Sequence, residues 1–565
     1  MKVKMAGPLE FFEDMEKLGG PKNTYVGELY FSAHRGTYSS QADIKKNNRK
    51  SELMLREMEM WACAASLRGW TYPIEQADGL WKTLLLHQFH DILPGSSIAR
   101  VYVEANEAHE KLQADAAQIT ADAAAALMEK KEGVTVFNSL SFERNSIVTL
   151  PDSFADGAAL SDGSPIPVQK TQEGVKALVS IPSCGTVSLY PKAAEKTQEA
   201  ALPEAEAASI QKTADGFVME NGLVSARING QGEVVSFRLK TGNGTADGLS
   251  REYAAGPMNR LRLFKDVPRK FDAWDIDSNY VCQEIEGACE VAVEPVEEGL
   301  EAVLKVTGRI SQSAYTQYIR LAADSRRLEF ETIIDWKELH RLLKTSFPVN
   351  VYAENGINEI QFGCVERPAH RSRPYDQERF EVCNHHYSAF RDANGGAAVL
   401  NDCKYGISMN ENSLELTLLR ASAAPEMRAD NKVHHFTYAF TAWEGSFMDS
   451  DVVRQGYELN VKPYLASGSG QDFSMLSIDR ANIILDTMKP AEDGSGDIIL
   501  RLYESKKAAT SASVQLSREL LTAGSSVYAC DMLENVTEEL AVSDGALVLS
   551  FHPFEIRTIR IAGPR

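Results

Sequence analysis

Apolar residues recur at helical spacing in the first quarter of the chain. Between residues 41 and 132 they fall every three or four positions, which is typical of helices with one buried face. One helix ends before Gly69, a second begins near Asp78, and a third follows Ser97. These residue types are the ones expected where helices end and begin. Three antiparallel helices with short connections predict a bundle.

The segments on either side of this predicted bundle have other patterns. Residues 9–18 predict one short amphipathic helix, and residues 25–31 predict a strand. Beyond Gly133, short apolar and β-branched runs are separated by Gly, Pro, Asn and Asp, as in antiparallel strands. Examples are residues 134–138, 147–150, 177–181, 497–503 and 546–551. The pattern predicts an α+β multidomain protein, a three-helix bundle followed by large antiparallel β-sandwich domains.

Composition narrows the classes of function. The 565 residues carry a formal net charge of −20, so a nucleic acid would be repelled and is not an expected partner. No apolar run reaches the roughly 20 residues that span a bilayer, and the N-terminus lacks the apolar core of a signal peptide. The eight cysteines are scattered without a C-x-x-C pair. This usage favours a reducing cytoplasm, and we expect no membrane partner.

The pair His90-Asp91 is the sharpest candidate for chemistry. It follows the second predicted helix, just before the helix breaker Pro94. Histidine is a common zinc ligand, and an aspartate can hold a sugar hydroxyl. His87 precedes His90 by three residues, on nearly the same helix face. From these residues alone, a capping or surface role is the simpler interpretation, and both interpretations stay open.

A second candidate is the segment His34-Arg35-Gly36-Thr37-Tyr38-Ser39-Ser40-Gln41, which lies between the predicted strand and the bundle. Loops that leave strands carry binding groups in α/β barrels, and Arg and His side chains bind hydroxyl groups. Turn formation around Gly36 explains the segment equally well. The chain has no Walker loop, no Gly-x-Ser-x-Gly and no His-Glu-x-x-His, so nucleotide chemistry and serine hydrolysis lose support.

Taken together, these motifs resemble family 38 glycoside hydrolases, the retaining α-mannosidases, and most closely their cytosolic and bacterial branch. The similarity is carried by residues 27–30, 34–41, 47–52, 84–97, 365–371, 379–382, 400–406 and 553–556. In the family, an α/β barrel precedes a three-helix domain and β-sandwich domains. The resemblance therefore implies a remnant of the catalytic barrel at residues 1–40 and a middle domain at 41–132. A small β domain at 133–195, a large β-sandwich domain at 209–485 and a C-terminal β domain at 490–565 would follow.

The resemblance also implies roles for site residues. It makes His90 a zinc ligand and Asp91 a contact of substrate hydroxyls, and it puts His34 and Arg35 at the substrate pocket. The family's other zinc ligands include a His-x-Asp pair, which this chain lacks. A working zinc site needs about three protein ligands, and a retaining glycosidase needs two carboxylates about 5–5.5 Å apart. We therefore expect an incomplete Zn²⁺ site, and no nucleophile or acid/base can be identified.

The expected function follows from the resemblance. The chain would be the C-terminal portion of a zinc-dependent α-mannosidase that hydrolyses terminal α-mannosides in carbohydrate catabolism, inactive without the barrel half. Its expected partners are a mannose-containing oligosaccharide and the barrel half as a separate chain. An apolar face near Trp81, Leu84, Leu85 and Ile92 would be exposed unless that partner covers it. The alternative is a non-catalytic carbohydrate-binding or scaffold module.

Overall fold

Helices come first and antiparallel sheets follow, which confirms the predicted fold class. The structure, a computed structural model, describes residues 3–24, 27–29, 33–192, 207–240, 249–285 and 287–563. The predicted strand at 25–31 lies mostly outside these residues, as does the segment 193–208, which is rich in Ala and Glu and which the sequence predicts to be a linker. The helices are α1 (Pro8–Lys17), α2 (Ala42–Ser66), α3 (Ile74–His87), α4 (Ala99–Leu127) and α5 (Val452–Asn460).

The predicted bundle is formed by α2, α3 and α4, with its longest contact between α2 and α4. The helix α3 begins at Ile74, directly after Pro73, so it starts four residues before the predicted Asp78. Asp78 does not cap the helix. Its carboxylate instead forms an ion pair with Lys82 at 2.6 Å, one turn further along. Opposite charges at this spacing stabilise a helix.

The start of α2 is fixed by a residue from the β region. The backbone N–H groups of Gln41 and Ala42 donate to the carboxylate of Asp430 at 3.0 and 2.7 Å. These donors have no partner inside a helix, and a carboxylate there also faces the positive end of the helix dipole. The bundle is therefore attached to the sandwich at its first turn.

A small β region follows the bundle and recruits a strand from later in the chain. Its strand β1 pairs with β7 on one side and with β27 (Tyr464–Ser469) on the other. The apolar core of this region is built from alternating strand positions, as expected where one face of a sheet is buried. The strands are β1 (Lys130–Asn138), β2 (Arg144–Leu150), β3 (Ala158–Ala159), β4 (Pro165–Ile166), β5 (Val168–Thr171), β6 (Gly174–Ile181) and β7 (Gly185–Pro191).

The large β region comprises strands β8 to β26. They are β8 (Ser209–Lys212), β9 (Gly216–Glu220), β10 (Val224–Asn229), β11 (Val234–Leu239), β12 (Arg260–Lys265), β13 (Glu284–Ile285), β14 (Ala288–Glu297), β15 (Glu301–Ile310), β16 (Ser313–Ala322), β17 (Leu328–Asp335), β18 (Arg341–Pro348), β19 (Asn355–Ile360), β20 (Gly363–Pro368), β21 (Val382–Cys383), β22 (Tyr387–Asp392), β23 (Gly395–Asn401), β24 (Gly406–Asn410), β25 (Ser413–Arg420) and β26 (Val433–Glu444).

Two of its sheets enclose one aromatic core. One sheet has the order β14-β15-β16-β17-β26-β23-β22-β19-β20, and the other has the order β13-β12-β18-β25-β24-β21. Between them the rings of Phe347 and Phe440 stack at 5.5 Å, and Phe330 stacks on Tyr438 at 5.2 Å. All four rings are buried. Face-to-face packing of antiparallel sheets on such a core is the sandwich that the strand pattern predicts.

The C-terminal strands pack against the bundle. They are β27, β28 (Phe473–Ser474), β29 (Leu476–Ile478), β30 (Ile483–Pro490), β31 (Ile498–Glu504), β32 (Thr510–Leu516), β33 (Ser526–Cys530), β34 (Val536–Leu540), β35 (Val542–Ser543), β36 (Ala546–Phe551) and β37 (Ile556–Ala562). Arg56 of α2 donates to the carbonyls of Ser139, Leu485 and Asp486 at 3.0, 3.1 and 2.7 Å. The helix α2 is thus held by strand β30 and by the residue that follows β1, which gives the loops at the bundle's end a fixed support.

Candidate functional site

The loop after α3, residues 88–97, is called the second motif loop here. Gln88 begins it, and its side-chain amide donates to Asn48 at 3.0 Å and to Glu52 at 2.8 Å, both on α2. Burial raises the pKa of the Glu52 carboxyl, because a charged carboxylate is poorly solvated inside the protein. The start of the loop is therefore fixed to the bundle.

His90 and Asp91 point away from this support. The His90 side chain is 72% exposed and that of Asp91 is 48% exposed, with His90 Nε2 3.7 Å from Asp91 Oδ2. Ser96 Oγ donates to Asp91 Oδ1 at 3.0 Å. The Tyr102 hydroxyl donates to the Asp91 carbonyl at 3.2 Å and accepts from the Ser97 N–H at 2.6 Å. The loop is ordered by its own hydrogen bonds, while the imidazole itself stays available.

The loop of residues 34–41, called the first motif loop here, has a different environment. His34 has a left-handed backbone, with φ of 74°, and its ring lies 4.8 Å from that of Trp274. Arg35 is buried. It forms ion pairs with Glu378 and, at 3.6 Å, with Asp275, and its guanidinium lies 4.7 Å from the Phe380 ring. Both sequence-predicted residues of this loop therefore contact the large β region.

The two motif loops touch each other. The Lys45 ammonium donates to the Ser40 carbonyl of the first loop and, at 2.7 Å, to the Leu93 carbonyl of the second. Burial lowers the pKa of Lys45 to about 7. Gly95 has a φ of +85°, and a Cβ there would collide with the Ser40 carbonyl. The structure thus joins the segments that carry the four predicted site residues, His34, Arg35, His90 and Asp91, through backbone groups.

The described residues do not fit a complete zinc site. They contain no group of three or more His, Cys, Asp or Glu side chains that could hold a metal ion, whereas zinc needs about three protein ligands. His90 and Asp91 could supply part of a ligand set, since both are exposed and close together. His87 does not join them: it is buried, and its Nδ1 donates to the Thr83 carbonyl at 2.7 Å.

An apolar patch adjoins His90. It consists of Leu85, Leu86 and Phe89, which are all exposed. Phe89 follows Leu85 by four residues and Leu86 by three, a spacing that brings its side chain near both. Leu84, which was expected on this surface, is fully buried, and Trp81 and Ile92 are half-buried. The exposed surface is therefore shifted towards the second motif loop.

Several residues that matter for the site's support were not singled out in the sequence. Glu28 accepts both fork nitrogens of Arg367 at 2.6 and 2.8 Å. Arg49 lies 4.4 Å from the Tyr405 ring and donates to its hydroxyl at 3.0 Å. All four residues belong to the motif segments. Their opposite charges and aromatic character were the only features in the sequence that could have indicated these contacts. The sequence does not say which partner each one meets.

Among the described helices, none is both long and apolar enough to cross a membrane.

Three family models match the chain. The Alpha mannosidase middle domain matches residues 32–127. The Glycosyl hydrolases family 38 C-terminal domain matches residues 219–428, and the family 38 C-terminal beta sandwich domain matches residues 482–559. The first of these matches contains both motif loops.

Curated relatives extend the similarity over nearly the whole chain. Alpha-mannosidase 2C1 of Homo sapiens is 32% identical over 574 residues, 99% of this chain and 52% of the relative. Alpha-mannosidase G of Dictyostelium discoideum is 30% identical over 614 residues, 99% of this chain and 55% of the relative. The chain spans about half the length of these relatives.

A solved structure has the same fold. The α-mannosidase from Enterococcus faecalis V583 superposes with a TM-score of 0.76 at 15% identity, covering 98% of this chain and 72% of the other. The chain carries the middle and C-terminal domains of glycoside hydrolase family 38 and belongs to that family.

Proposed function

We propose that this chain is the C-terminal portion of a retaining, zinc-dependent α-mannosidase that hydrolyses terminal α-mannosides in carbohydrate catabolism. In this proposal His90 is a zinc ligand and Asp91 holds substrate hydroxyls. The observation that carries it is the second motif loop, which is matched by the family's middle domain. That loop is fixed by Gln88, Ser96 and Tyr102 and exposes His90 and Asp91 side by side.

The remaining parts of the site would come from the portion of the relatives that this chain does not match. A retaining glycosidase uses two carboxylates about 5–5.5 Å apart, and the ligands that complete a zinc site must lie close to His90. We propose that this portion, an α/β barrel, docks on the apolar patch of Leu85, Leu86 and Phe89. Docking would bury the patch and bring the missing ligands and carboxylates to His90.

His34 and Arg35 are proposed to border the substrate pocket. Their loop contacts the second motif loop at Ser40 and Gly95, and this contact supports the proposal. Arg35 is held by Glu378 and Asp275, so its main effect there would be to fix the backbone of His34. We also propose a cytoplasmic location, supported by buried free thiols such as Cys184 and Cys403 in a chain with scattered cysteines.

The experiment measures hydrolysis of a chromogenic α-mannoside in the presence of zinc. The chain is assayed alone and together with the product of a reading frame that encodes a barrel with His-x-Asp. We expect turnover only in the combination. His90→Ala should abolish it, while His370→Ala, at an exposed histidine in the large β region, should leave it unchanged.

Two results would contradict the proposal. Turnover by the chain alone that survives His90→Ala would mean that catalysis uses other residues. Binding of mannose oligosaccharides by the chain, unaffected by His90→Ala and by added barrel, with no turnover in any mixture, would favour a non-catalytic carbohydrate-binding module.

A further inference from the structure

A polar cavity lies outside both motif loops. It has a volume of about 430 Å³ and forms where strand β2, the turn between β16 and β17, and helix α5 meet. Residues of all three elements line it, among them Arg144, Asp324 and Gln455. Neither motif loop contributes to its lining. A pocket of this size, where separate structural elements converge, can hold a small molecule.

Three residues that line this cavity carry buried polar atoms without a hydrogen-bond partner. Arg144 Nε and Nη2, Arg454 Nε and Gln455 Oε1 are buried and have no hydrogen-bond partner among the described residues. Arg144 is 3% exposed, and its remaining nitrogen, Nη1, donates to the Val461 carbonyl at 2.5 Å. Buried polar atoms are almost always paired, so three lining residues with the same deficiency point to a missing ligand.

The two nitrogens of Arg144 that lack a partner, Nε and Nη2, are the pair with which other arginines of this protein bind carboxylates. Four other arginines use the same two atoms, Nε and Nη2, to grip both oxygens of one carboxylate, at distances of 2.5 to 3.3 Å. These pairs are Arg68 with Glu519, Arg262 with Glu284, Arg367 with Glu28, and Arg373 with Asp376. Such a two-point contact selects planar carboxylate or phosphate groups.

The nearby carboxylates are already engaged. Glu329 and Glu458 form ion pairs with Arg327 at 2.6 and 3.2 Å. The charges of Glu458 and Glu57 also act on Arg144, but among the described residues neither carboxylate forms an ion pair with it. Asp324 also lines the cavity, and burial raises the pKa of its carboxyl. Acidic side chains on this wall can accept hydrogen bonds from hydroxyl groups.

We propose that this cavity is a binding site for a small hydroxylated oxyanion, a sugar acid or a sugar monophosphate, whose anionic group is gripped by Arg144 Nε and Nη2. The ligand's hydroxyl groups donate hydrogen bonds to Gln455 Oε1 and to the carboxylates of the acidic wall. The site is separate from the mannosidase centre and does not depend on that assignment. It would allow an anionic sugar metabolite to bind at the junction of the small and large β regions.

The test is isothermal titration calorimetry of the full chain at constant ionic strength. The probes are gluconate for the carboxylate source, glucose 6-phosphate for the phosphate source, and glucose as the neutral control. We expect binding of one or both anions with a Kd of about 1 mM or tighter, and none of glucose. The anion that binds with the lower Kd shows whether the site prefers a carboxylate or a phosphate.

Variants distinguish the two-point contact of Arg144 from a nonspecific effect of positive charge. Arg144→Lys keeps the charge but loses the two-point contact, and should weaken binding at least about tenfold. Arg326→Gln removes one charge from the exposed lining of the same cavity and should change the Kd less than about threefold. Gln455→Leu, which leaves Arg144 intact, is the second probe if Arg144→Lys does not fold, and should also weaken binding.

Three results would overturn the proposal. The first is that neither anion gives heat at 20-fold the expected Kd, that is about 20 mM. The second is that glucose binds as tightly as the anions. The third is that Arg144→Lys, or Gln455→Leu if Arg144→Lys does not fold, binds the anion with unchanged affinity. In the first case the fork is satisfied by water or by a rearranged carboxylate of the protein.

Discussion

The two motif loops touch each other, yet their side chains have opposite environments. In the first loop Arg35, Ser40 and Gln41 are buried and bonded to residues of the large β region. In the second loop Phe89 and His90 are exposed, and the bonds that order the loop come from the bundle or from the loop itself. Both loops match the same family model. A family motif can therefore mark a buried domain junction as well as an exposed surface, and burial distinguishes the two.

The largest expected effect is on the junction side of this comparison. Arg420 is buried, forms an ion pair with buried Asp266 at 2.5 Å, and donates to Ser40 Oγ of the first loop at 3.0 Å. Arg420→Met leaves Asp266 charged and unpaired, and should lower the free energy of unfolding by about 3–5 kcal/mol. Urea denaturation followed by circular dichroism measures this.

The control for Arg420 is an exposed ion pair. Arg269 is almost fully exposed and lies 3.2 Å from Asp277, so Arg269→Met should cost less than about 1 kcal/mol. The double variant Arg420→Met/Asp266→Leu should recover part of the loss because no buried charge is left. Equal effects of the two single arginine variants would mean that the first loop is not anchored through Arg420.

The second effect is a pH dependence of the bundle that supports both loops. Buried His109 on α4 lies 3.0 Å from Ser51 Oγ on α2, and its ring is 5.1 Å from that of His87 on α3. Burial, with a smaller contribution from His87, lowers the pKa of His109 from 6.5 to about 4. Between these values the unfolded chain binds more protons than the folded chain, so stability falls as the pH falls.

His109 should therefore contribute about 3 kcal/mol above pH 6.5, and this contribution should be lost as the pH approaches 4. Urea denaturation at pH 7, 5.5 and 4.5 measures it. His109→Gln keeps a polar side chain and should remove this part of the pH slope, while His552→Gln at an exposed site should not. An unchanged slope in His109→Gln would assign the acid sensitivity to other groups.

The third effect is at the contact between the loops. Gly95 has a positive φ, and its Cα faces the Ser40 carbonyl, so Gly95→Ala combines backbone strain with a collision and should cost about 2 kcal/mol. Gly79, inside α3, has no atom within 4 Å of a Cβ, and Gly79→Ala should instead stabilise by about 0.5–1 kcal/mol. Thermal denaturation of both variants compares them, and a neutral Gly95→Ala would show that the loops can separate freely.

Much of the fold could be predicted because its signals are local. The apolar stripes of α2, α3 and α4 and the strand runs such as β2 and β36 are set by neighbouring residues. The predicted helical region begins at residue 41 and α2 begins at Ala42, but its capping group could not be predicted, since the Asp430 carboxylate lies 388 residues away. The start of α3 was misplaced because Asp78, a favourable cap, takes part in an ion pair with Lys82.

The candidate site also has features that the sequence predicts and features that only the structure shows. The motif singles out His90, but its spacing also put His87 on nearly the same face, and only the structure separates them. The helix ends at His87, which is buried beside His109, and the chain then turns so that His90 reaches solvent. Arg35 looked like a surface group for hydroxyls because its partners, Glu378 and Asp275, are more than 200 positions away in the chain.

The smallest expected effect on stability is in the second, exposed motif loop. His90 is largely exposed, and the hydrogen bonds that order its loop are made by Gln88, Ser96 and Tyr102. His90→Ala should therefore change the free energy of unfolding by no more than about 0.5 kcal/mol, although it removes the proposed zinc ligand. Urea denaturation of the variant beside Ser96→Ala, which loses the bond to Asp91, measures the difference. A loss above about 1 kcal/mol in His90→Ala would make His90 a structural residue of the loop. The contrast between the buried first loop and the exposed second loop would then not hold.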